Sequence, residues 1–310
     1  MSAKESVSIG LSAAIVAVEA DRPSVLVVAH GGSEDALPFG PFAPAQHRTL
    51  ESGLRKWVGE QTKFDLGYTE QLYTFGDKGR HTSGGGRVVS VGYLALTRLG
   101  REAPGTQWRG WYHYFPWEDW RDAKPAMIET TILPALKKFA KDAPNAETAE
   151  LRRERINVCF GEGWDEERVL ERYELLYEAG LVEEFYRDGG KAAKGQRLGT
   201  PMLFDHRRIL ATAIARLRGK LKYRPVVFEL MAPTFTLLEL QRVVEALAGL
   251  RLHKQNFRRL VAEQGLVEGT GKFSAPARGR PAELFHFRRE VLRERPAPGM
   301  RLGVRRGKLS

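Results

Sequence analysis

The sequence predicts an α+β protein of two domains, in which a mixed α/β sandwich precedes a small helical domain that carries a basic hairpin. Three observations support this prediction. The chain has 310 residues, which is enough for about two domains. Its N-terminal part alternates β-branched runs with one helical stretch, as a sandwich does. Its C-terminal part holds two short amphipathic helices followed by two short strands.

The first of the two C-terminal helices has clear start and stop signals. Thr236 and Glu239 have the spacing of a capping box, in which each side chain binds an unpaired backbone N–H at the helix start. An apolar stripe follows at the i, i+3, i+4, i+7 spacing of one buried helix face. The stripe consists of Leu240, Val243, Val244 and Leu247. Gly249 then ends the helix.

The second C-terminal helix begins near His253 and presents a polar face. Phe257, Leu260 and Val261 face inward, whereas Gln and Arg side chains face the other way. A strand from Val267, a basic loop and a returning strand Glu283–Phe287 complete the layout of a winged helix-turn-helix, whose second helix enters the major groove. The predicted DNA-binding residues are Lys254, Gln255, Asn256, Arg258 and Arg259 on the helix and Lys272, Arg278 and Arg280 in the wing. For Asn256, capping or bracing the turn is the alternative.

Charge is concentrated at the C-terminal end. Residues 234–310 contain 16 Lys and Arg against 7 Asp and Glu, a net charge of +9 out of +11 for the whole chain. Cationic groups gain free energy by releasing counterions from phosphates, so this asymmetry favours nucleic-acid binding. The alternative is a small helical domain with a solvated basic face.

Composition is that of an ordinary globular protein, with 42% hydrophobic and 28% charged residues. The apolar segment Val7–Val18 is too short to span a bilayer and lacks a cationic leader, so we expect a cytoplasmic protein without a membrane partner. The single cysteine, Cys159, excludes an internal disulfide framework, and a buried structural side chain is the expectation there. The seven histidines lack metal-ligand spacing.

The sandwich is predicted from short runs of strand-forming residues around one helix. Ile9–Ala17 and Val25–Ala29 are expected to form a hairpin around an Asp21-Arg22-Pro23 turn. The further elements are a helix at Pro44–Gln61 and strands at Glu70–Phe75, Arg87–Leu96 and Trp108–Phe115.

One loop and helix of this region resemble the hydrolase motif of Nudix proteins. Leu37–Phe42 and Arg55–Glu60 occupy the positions of the loop and the helix that carry clustered carboxylates. Those carboxylates hold Mg²⁺ or Mn²⁺ against a pyrophosphate. Here Lys56 and Gly59 replace two helical glutamates, Gln46 replaces the loop glutamate, and Glu60 alone aligns, with Glu51 as a weak substitute. The resemblance therefore implies a Nudix-like α/β/α sandwich without catalytic or metal-binding residues.

Further segments are similar to NrtR-type transcription factors, which are Nudix-related regulators of NAD metabolism. Glu70–Asp77 and Gly86–Tyr93 match that family in the sandwich. The matching C-terminal segments are Ile209–Tyr223, Pro225–Leu230, Phe235–Gln241, Asn256–Arg259 and Gly279–Phe285. Tyr114–Trp120 resembles the variant found in the NAD regulators of alphaproteobacteria. The resemblance therefore predicts a protein of the alphaproteobacterial branch of this family. It also predicts three segments, which are a Nudix-like effector domain at 1–224, a winged helix-turn-helix domain at 225–294 and a basic tail at 295–310.

A stretch of extra helices separates the matching segments and is expected at about 112–199. Ala126–Lys141 and Asp165–Ala179 are its clearest helices. Its role stays open between completing an effector pocket and forming a dimer interface. The aromatic residues at its start favour core packing over a ligand-stacking site. They are Trp108, Trp111, Tyr112, Tyr114, Phe115, Trp117 and Trp120.

The resemblance implies a homodimer that binds a double-stranded operator and represses NAD-synthesis genes. Its ligand is expected to be an adenine nucleotide effector, such as ADP-ribose, NAD or ATP, and no cofactor is expected. Lys78, Arg80 and Arg87 are the predicted anion clamp around a three-glycine run, for which a flexible hairpin tip is the alternative. Two alternative functions would place other demands on the sequence. An active Nudix pyrophosphohydrolase would need Glu51, Glu60 and Glu70 to hold metal, and an RNA-binding adaptor would need an aromatic platform that the sequence does not show.

Overall fold

The secondary structure follows the predicted order of a sandwich, a helical insertion and a helix-and-hairpin domain. The structure is a computed structural model and describes residues 7–29, 34–64, 66–76, 87–100, 102–191, 196–274, 281–294 and 299–300. The strands are β1 (Val7–Glu19), β2 (Arg22–Ala29), β3 (Asp35–Ala36), β4 (Phe39–Pro41), β5 (Thr69–Phe75), β6 (Arg87–Leu96), β7 (Thr106–Gly110), β8 (Val267–Phe273) and β9 (Glu283–Phe287). The helices are α1 (Leu50–Thr62), α2 (Leu133–Lys141), α3 (Ala146–Phe160), α4 (Val169–Glu178), α5 (Glu183–Arg187), α6 (His206–Tyr223), α7 (Leu237–Ala248), α8 (Lys254–Gln264) and α9 (Val291–Glu294).

The seven N-terminal strands form one mixed sheet. Its main order is β3-β2-β1-β6-β5, with β4 paired to β1 and β7 paired to β2. β1 and β6 run parallel, from Val7 opposite Arg87 to Val16 opposite Leu96, and the other pairings are antiparallel. The parallel pair at the centre brings the two longest strands together, and both are largely buried, as central parallel strands usually are.

Helices cover both faces of the sheet, which confirms the predicted α/β/α layering. Alternate residues of β1 point to opposite faces. Leu11, Ala13 and Ile15 pack with Leu54 and Val58 of α1 on one face. On the other face, Ala14 and Val16 belong to the larger core that includes α6 and the insertion, and this core continues into the C-terminal helices.

The helical insertion is an α-helical layer on this second face. A π-helical turn at Ile128–Ile132 leads into α2, and α3, α4 and α5 follow. The two helices predicted in this stretch are present, although the second begins at Val169 and not at Asp165, where the chain forms a turn first. The sequence pattern did not indicate α3 and α5. Four of the seven aromatic residues predicted to form core are fully buried, namely Trp111, Tyr114, Phe115 and Trp117. Tyr112 and Trp120 are partly buried against the same core, whereas Trp108 packs against the core on the α1 face.

Helix α6 connects the sandwich to the C-terminal domain and carries an apolar stripe through residues such as Leu210, Ile214, Leu217 and Leu221, all buried. A short 3₁₀ helix, Val226–Leu230, follows and packs on the C-terminal hairpin, where Phe228 stacks on Phe287 at 4.3 Å between ring centroids. The predicted limits at 224/225 and 294/295 stay predictions.

Three predicted boundaries in the sandwich are wrong. The β1–β2 turn is tighter than expected, since Glu19 pairs with Arg22 and the chain reverses through Ala20 in the left-handed conformation. Helix α1 begins at Leu50 because Thr49 caps it through Ser52, so the residues from Pro44 form turns instead. β7 ends at Gly110, and Trp111 turns into the core in a 3₁₀ helix.

Cys159 is buried on α3, and burial raises the pKa of its thiol. This confirms the expected structural side chain. Within the described parts of the chain, none of the helices combines the length and the hydropathy that a membrane crossing requires.

Candidate nucleic-acid interface and altered Nudix helix

The two helices of the C-terminal domain have the predicted caps. At the start of α7, the Thr236 hydroxyl accepts from the backbone N–H of Glu239 at 3.2 Å, and the Glu239 carboxylate accepts from the N–H of Thr236 at 2.7 Å. At its end, Gly249 adopts a left-handed φ of 73°. The predicted stripe of α7 is buried, so the helix is held in the core by one face.

Helix α8 separates an apolar face from a basic face. Phe257 and Val261 are buried, and Leu260 is half-buried. The five residues predicted on this helix to contact DNA are all exposed and follow the N-terminal cap residue His253. They are Lys254, Gln255, Asn256, Arg258 and Arg259. The side chain of His253 makes no capping hydrogen bond, so it does not satisfy the backbone N–H groups of the first turn. These N–H groups form the positive end of the helix dipole, next to the basic side chains.

The wing is a short antiparallel hairpin of β8 and β9. Val267 pairs with Phe287, and the ladder is tied to the residue before α7 because Phe235 and Phe285 exchange backbone hydrogen bonds at 2.9 and 2.8 Å. Lys272 is exposed on β8 near the tip. The other two predicted wing contacts, Arg278 and Arg280, lie outside the described residues.

Helix α1 occupies the place of the Nudix helix and is fixed against the preceding loop. The indole of Trp57 donates to the carbonyl of Pro41 at 2.7 Å. A Cβ atom on Gly40 would lie 2.3 Å from the Trp57 ring, so only glycine permits this contact. The loop and the helix are therefore held together by Trp57.

The carboxylates of this region are spread over separate ion pairs. Glu51 accepts from Arg55 at 2.8 and 3.0 Å and from Thr69 at 2.8 Å, and these hydrogen bonds lower the pKa of its carboxyl group. Glu70 pairs with Lys220 at 3.0 Å on α6. Glu60 is exposed on α1. In the ranges described, no three His, Cys, Asp or Glu side chains lie together as a metal site would need.

Two of the three replaced carboxylate positions, Lys56 and Gln46, face each other. The Lys56 ammonium donates to the side-chain oxygen of Gln46 at 3.0 Å. The sequence resemblance assigns metal-binding glutamates to these two positions, and an ammonium group with an amide acceptor does not fit a divalent cation.

Only one of the predicted effector residues can be placed. Arg87 is exposed at the start of β6 and donates to the carbonyl of Gly76 at 2.8 Å, at the base of the β5–β6 connection. Lys78 and Arg80 lie outside the described residues, as does the three-glycine run. The anion clamp is therefore still a prediction.

A polar cleft lies between the insertion and the sandwich, and the sequence did not indicate it. Its cavity volume is about 370 Å³. The segment before α4 supplies Asp165, Glu167 and Arg168, α4 supplies Glu171, and α6 supplies Arg216. Tyr73 of the edge strand β5 closes one side, with the Arg216 guanidinium 5.9 Å from its ring centroid.

A sandwich followed by a helix pair and a β-hairpin, with a basic face on the second helix, defines a winged-helix protein with an N-terminal α/β domain. Comparison with known proteins makes this more specific. Residues 227–287 match the family described as the NrtR DNA-binding winged helix domain. The resemblance to NrtR-type regulators is thereby confirmed, whereas the alphaproteobacterial branch stays a prediction.

A curated relative and two solved structures agree with this result. The chain is 44% identical over 92 residues, 30% of its length, to the ADPR responsive transcriptional repressor NtrR of Acinetobacter baylyi, and it spans only 36% of that relative's length. The crystal structure of Shewanella oneidensis NrtR complexed with a 27mer DNA covers 91% of this chain and 94% of its own, with a TM-score of 0.55 and 21% identity. A MutT/nudix family protein from Enterococcus faecalis gives a TM-score of 0.50 and 17% identity over 93% of this chain and 89% of its own. The structural matches confirm the predicted Nudix-like sandwich with an appended winged helix domain.

The sequence interpretation overlooked three buried charged residues that join the two domains, Glu118, Arg172 and Arg218. One signal was available for Arg218. It follows Ile214 by four residues and precedes Leu221 by three, so it lies on the apolar stripe of α6. An arginine at such a position requires a partner in the core.

Proposed function

We propose that this protein is a ligand-responsive transcriptional regulator of NAD-biosynthesis genes that acts as a repressor. A homodimer binds a double-stranded operator through its winged helix domains, and the Nudix-like domain senses an adenine nucleotide without cleaving it. The observation that carries the proposal is the exposed basic face of α8 within a domain of the NrtR winged helix family. This function places the protein in the cytoplasm.

The exposed side chains of α8 suit a major groove. Arg258 and Arg259 provide planar donors for guanine edges or phosphates, and Gln255 can pair with adenine. Lys254 in the first turn adds to the positive end of the helix dipole and favours phosphate contacts. A dimer would present two such helices to the two half-sites of a pseudo-palindrome.

The sensing role rests on the altered Nudix helix. The fold supplies the pyrophosphate-binding architecture of Nudix proteins, while Lys56 and Gln46 take the places of metal-binding carboxylates. A domain that binds such a nucleotide without metal would retain it rather than hydrolyse it. ADP-ribose is the first effector to test, because the curated Acinetobacter relative is described as ADPR responsive. NAD and ATP are the other candidates.

The decisive experiment is a binding titration with promoter DNA of NAD-biosynthesis genes. Fluorescence anisotropy would measure the affinity for the promoter and for a shuffled duplex of equal length, with and without ADP-ribose, NAD or ATP. We expect promoter binding to exceed binding to the shuffled duplex by about 10³-fold or more at physiological salt. One nucleotide should shift that affinity by about 5- to 150-fold.

Two results would contradict the proposal. Equal affinity for both duplexes, with only a dependence on salt, would mean that the basic face attracts phosphates without reading sequence. Specific binding that no adenine nucleotide changes would leave the DNA-binding part standing and remove the sensing part.

A further inference from the structure

A buried ion triad lies where the insertion, α6 and the winged helix domain meet. The Glu118 carboxylate accepts from Arg172 of α4 at 2.6 and 2.9 Å and from Arg218 of α6 at 2.7 Å. All three side chains are at most 1% exposed. Burial alone would raise the pKa of Glu118, but the two guanidinium groups outweigh this effect and lower the pKa below its ordinary value. The carboxylate is therefore charged at neutral pH.

The triad holds the C-terminal end of α7. Arg218 donates through Nε to the carbonyl of Leu247 at 2.9 Å. The Tyr112 hydroxyl donates to the carbonyl of Ala246 at 2.7 Å, and the backbone N–H of Trp120 donates to the carbonyl of Gly249 at 2.8 Å. The last carbonyls of a helix have no partner within it. Here groups outside the winged helix domain satisfy three carbonyls at the end of its first helix.

The charge of the triad explains why Arg218 is stabilised by the C-terminal end of α7. Two guanidinium groups face one carboxylate, so the buried triad carries one excess positive charge. The C-terminal end of α7 supplies the negative end of a helix dipole, and it points at Arg218. If α7 moved away, Arg218 would lose the carbonyl of Leu247 and the nearby end of the helix dipole, while its hydrogen bonds to the Glu118 carboxylate and to the carbonyl of Glu166 would remain. A buried charged group that loses an acceptor is destabilised, so the contact of Arg218 with the end of α7 is favoured.

The approach of the two domains is also close. Gly249 has a φ of 73°, and a Cβ atom there would lie 2.5 Å from the backbone oxygen of Glu118 and 2.9 Å from the Tyr112 hydroxyl. The helix end is therefore seated against the start of the insertion with no room for a side chain.

We infer that the helical insertion builds the joint that fixes the orientation of the winged helix domain relative to the Nudix-like domain, with Arg218 as the positioning residue. Arg172 ties this joint to α4, and Glu118 ties it to the turn that follows the sheet. On this inference the insertion has a structural role that involves neither an effector pocket nor a dimer interface. On the proposed function, which this step presupposes, it is also the route by which the effector domain acts on the operator-binding helices.

The joint also contacts one wall of the polar cleft. Arg172 donates to the carbonyl of Asp165 at 2.9 Å, and Arg218 donates to the carbonyl of Glu166 at 3.0 Å. Asp165 and Glu167 line the cleft. Because Arg218 donates to the carbonyls of both Glu166 and Leu247, a displacement of residues 165–167 would alter the hydrogen bond at the end of α7.

The orientation can be measured directly with a pair of spin labels. Leu151 in α3 and Leu238 in α7 are exposed by 55% and 44%, so both can be replaced by cysteine in a Cys159→Ala background. Labelled protein is diluted with unlabelled protein so that each distance is measured within one chain. Arg218→Lys is the test variant, and Tyr112→Phe is the milder variant that keeps the packing. Arg216→Lys is the matched control, because Arg216 lies two residues away on α6 and is 37% exposed.

We expect the width of the distance distribution to at least double in Arg218→Lys, to increase in Tyr112→Phe and to remain unchanged in Arg216→Lys. An unchanged width in the first two variants would overturn the inference even if their melting temperatures fell, because the triad would then be ordinary core. Should Arg218→Lys fail to fold, Tyr112→Phe decides. Operator binding by the unlabelled protein tests the proposed function separately. If it is specific and nucleotide-dependent, Tyr112→Phe should reduce the nucleotide's effect at least threefold, and a full response would remove the regulatory role of the joint.

Discussion

Lys56 and Gln46 form a hydrogen bond of 3.0 Å across the loop and the helix that would hold metal in a Nudix hydrolase. Both residues stand at positions where that motif has glutamate, so the two replacements are coupled in space. The lysine satisfies its charge with a neutral acceptor rather than with a carboxylate. The positive charge of Lys56 would repel a divalent cation at this place, so we expect nucleotide binding without hydrolysis.

Incubation with ADP-ribose and Mn²⁺ should therefore release no AMP above the rate without protein. The remaining carboxylates are poorly placed for metal, since Glu51 is paired with Arg55 and Glu70 with Lys220. Chromatography of the products over several hours makes the measurement. Metal-dependent AMP release that disappears in Glu60→Gln would show a working hydrolase and would contradict the proposed sensing role.

The double variant Arg258→Ala/Arg259→Ala should lose operator binding while its stability changes little. Each good contact of an arginine with a base is worth about 1–3 kcal/mol, so we expect affinity to fall by at least about tenfold, with a salt dependence reduced by about two phosphate contacts if both bind phosphates. The matched control is Arg22→Ala/Arg153→Ala, which removes the same charge from side chains 68% and 57% exposed in the sandwich and the insertion. An equal loss in both variants would assign the effect to overall charge rather than to α8.

The parts of the fold that could be predicted are those set by neighbouring residues. The capping box of α7 and the glycine that ends it are local signals, and both are present. The bounds of β6 also agree with the prediction, because a β-branched run determines them. The exposed face of α8 followed from its helical period alone.

Contacts between distant residues account for what could not be predicted. Strand β1 pairs in parallel with β6, whose residues lie about 80 positions further on, and no local pattern specifies that register. Trp111 leaves the predicted strand because it is fully buried in the larger core, which sheet and insertion residues form together. The joint around Arg218 joins residues 100 positions apart, Glu118 and Arg218, so it was visible only as an unexplained arginine on an apolar stripe.

Gly249→Ala should destabilise the protein more than a left-handed backbone alone explains. The alanine would cost about 1–2 kcal/mol for its positive φ and more for its contact with the Glu118 backbone oxygen. Gly105→Ala is the matched control, because Gly105 has a φ of 79° and nothing within 4 Å of a Cβ atom. Urea denaturation measures the loss of unfolding free energy in each variant, and the difference between the two losses is the cost of the contact. Equal losses of stability would mean that the end of α7 is less closely seated than the structure indicates.

Glu118→Gln should reduce stability at neutral pH by about 3–5 kcal/mol, because it removes the carboxylate from two buried guanidinium groups. The folded-state pKa of Glu118 lies below its ordinary value of 4.5, since Arg172 and Arg218 outweigh the effect of burial. A lowered carboxyl pKa adds stability that is fully present above the unfolded-state pKa and is lost as pH falls through the folded-state pKa. Urea denaturation from pH 7 to pH 3 should therefore show a difference in unfolding free energy between the original protein and the variant that is constant above about pH 4.5 and narrows at lower pH.

The control is Glu150→Gln, because the Glu150 side chain is 61% exposed in a surface pair with Arg153. Its unfolding free energy should differ from that of the original protein by less than about 1 kcal/mol throughout. A gap for Glu118→Gln that stays constant to pH 3 would mean that packing of this side chain, rather than its charge, holds α7 in place.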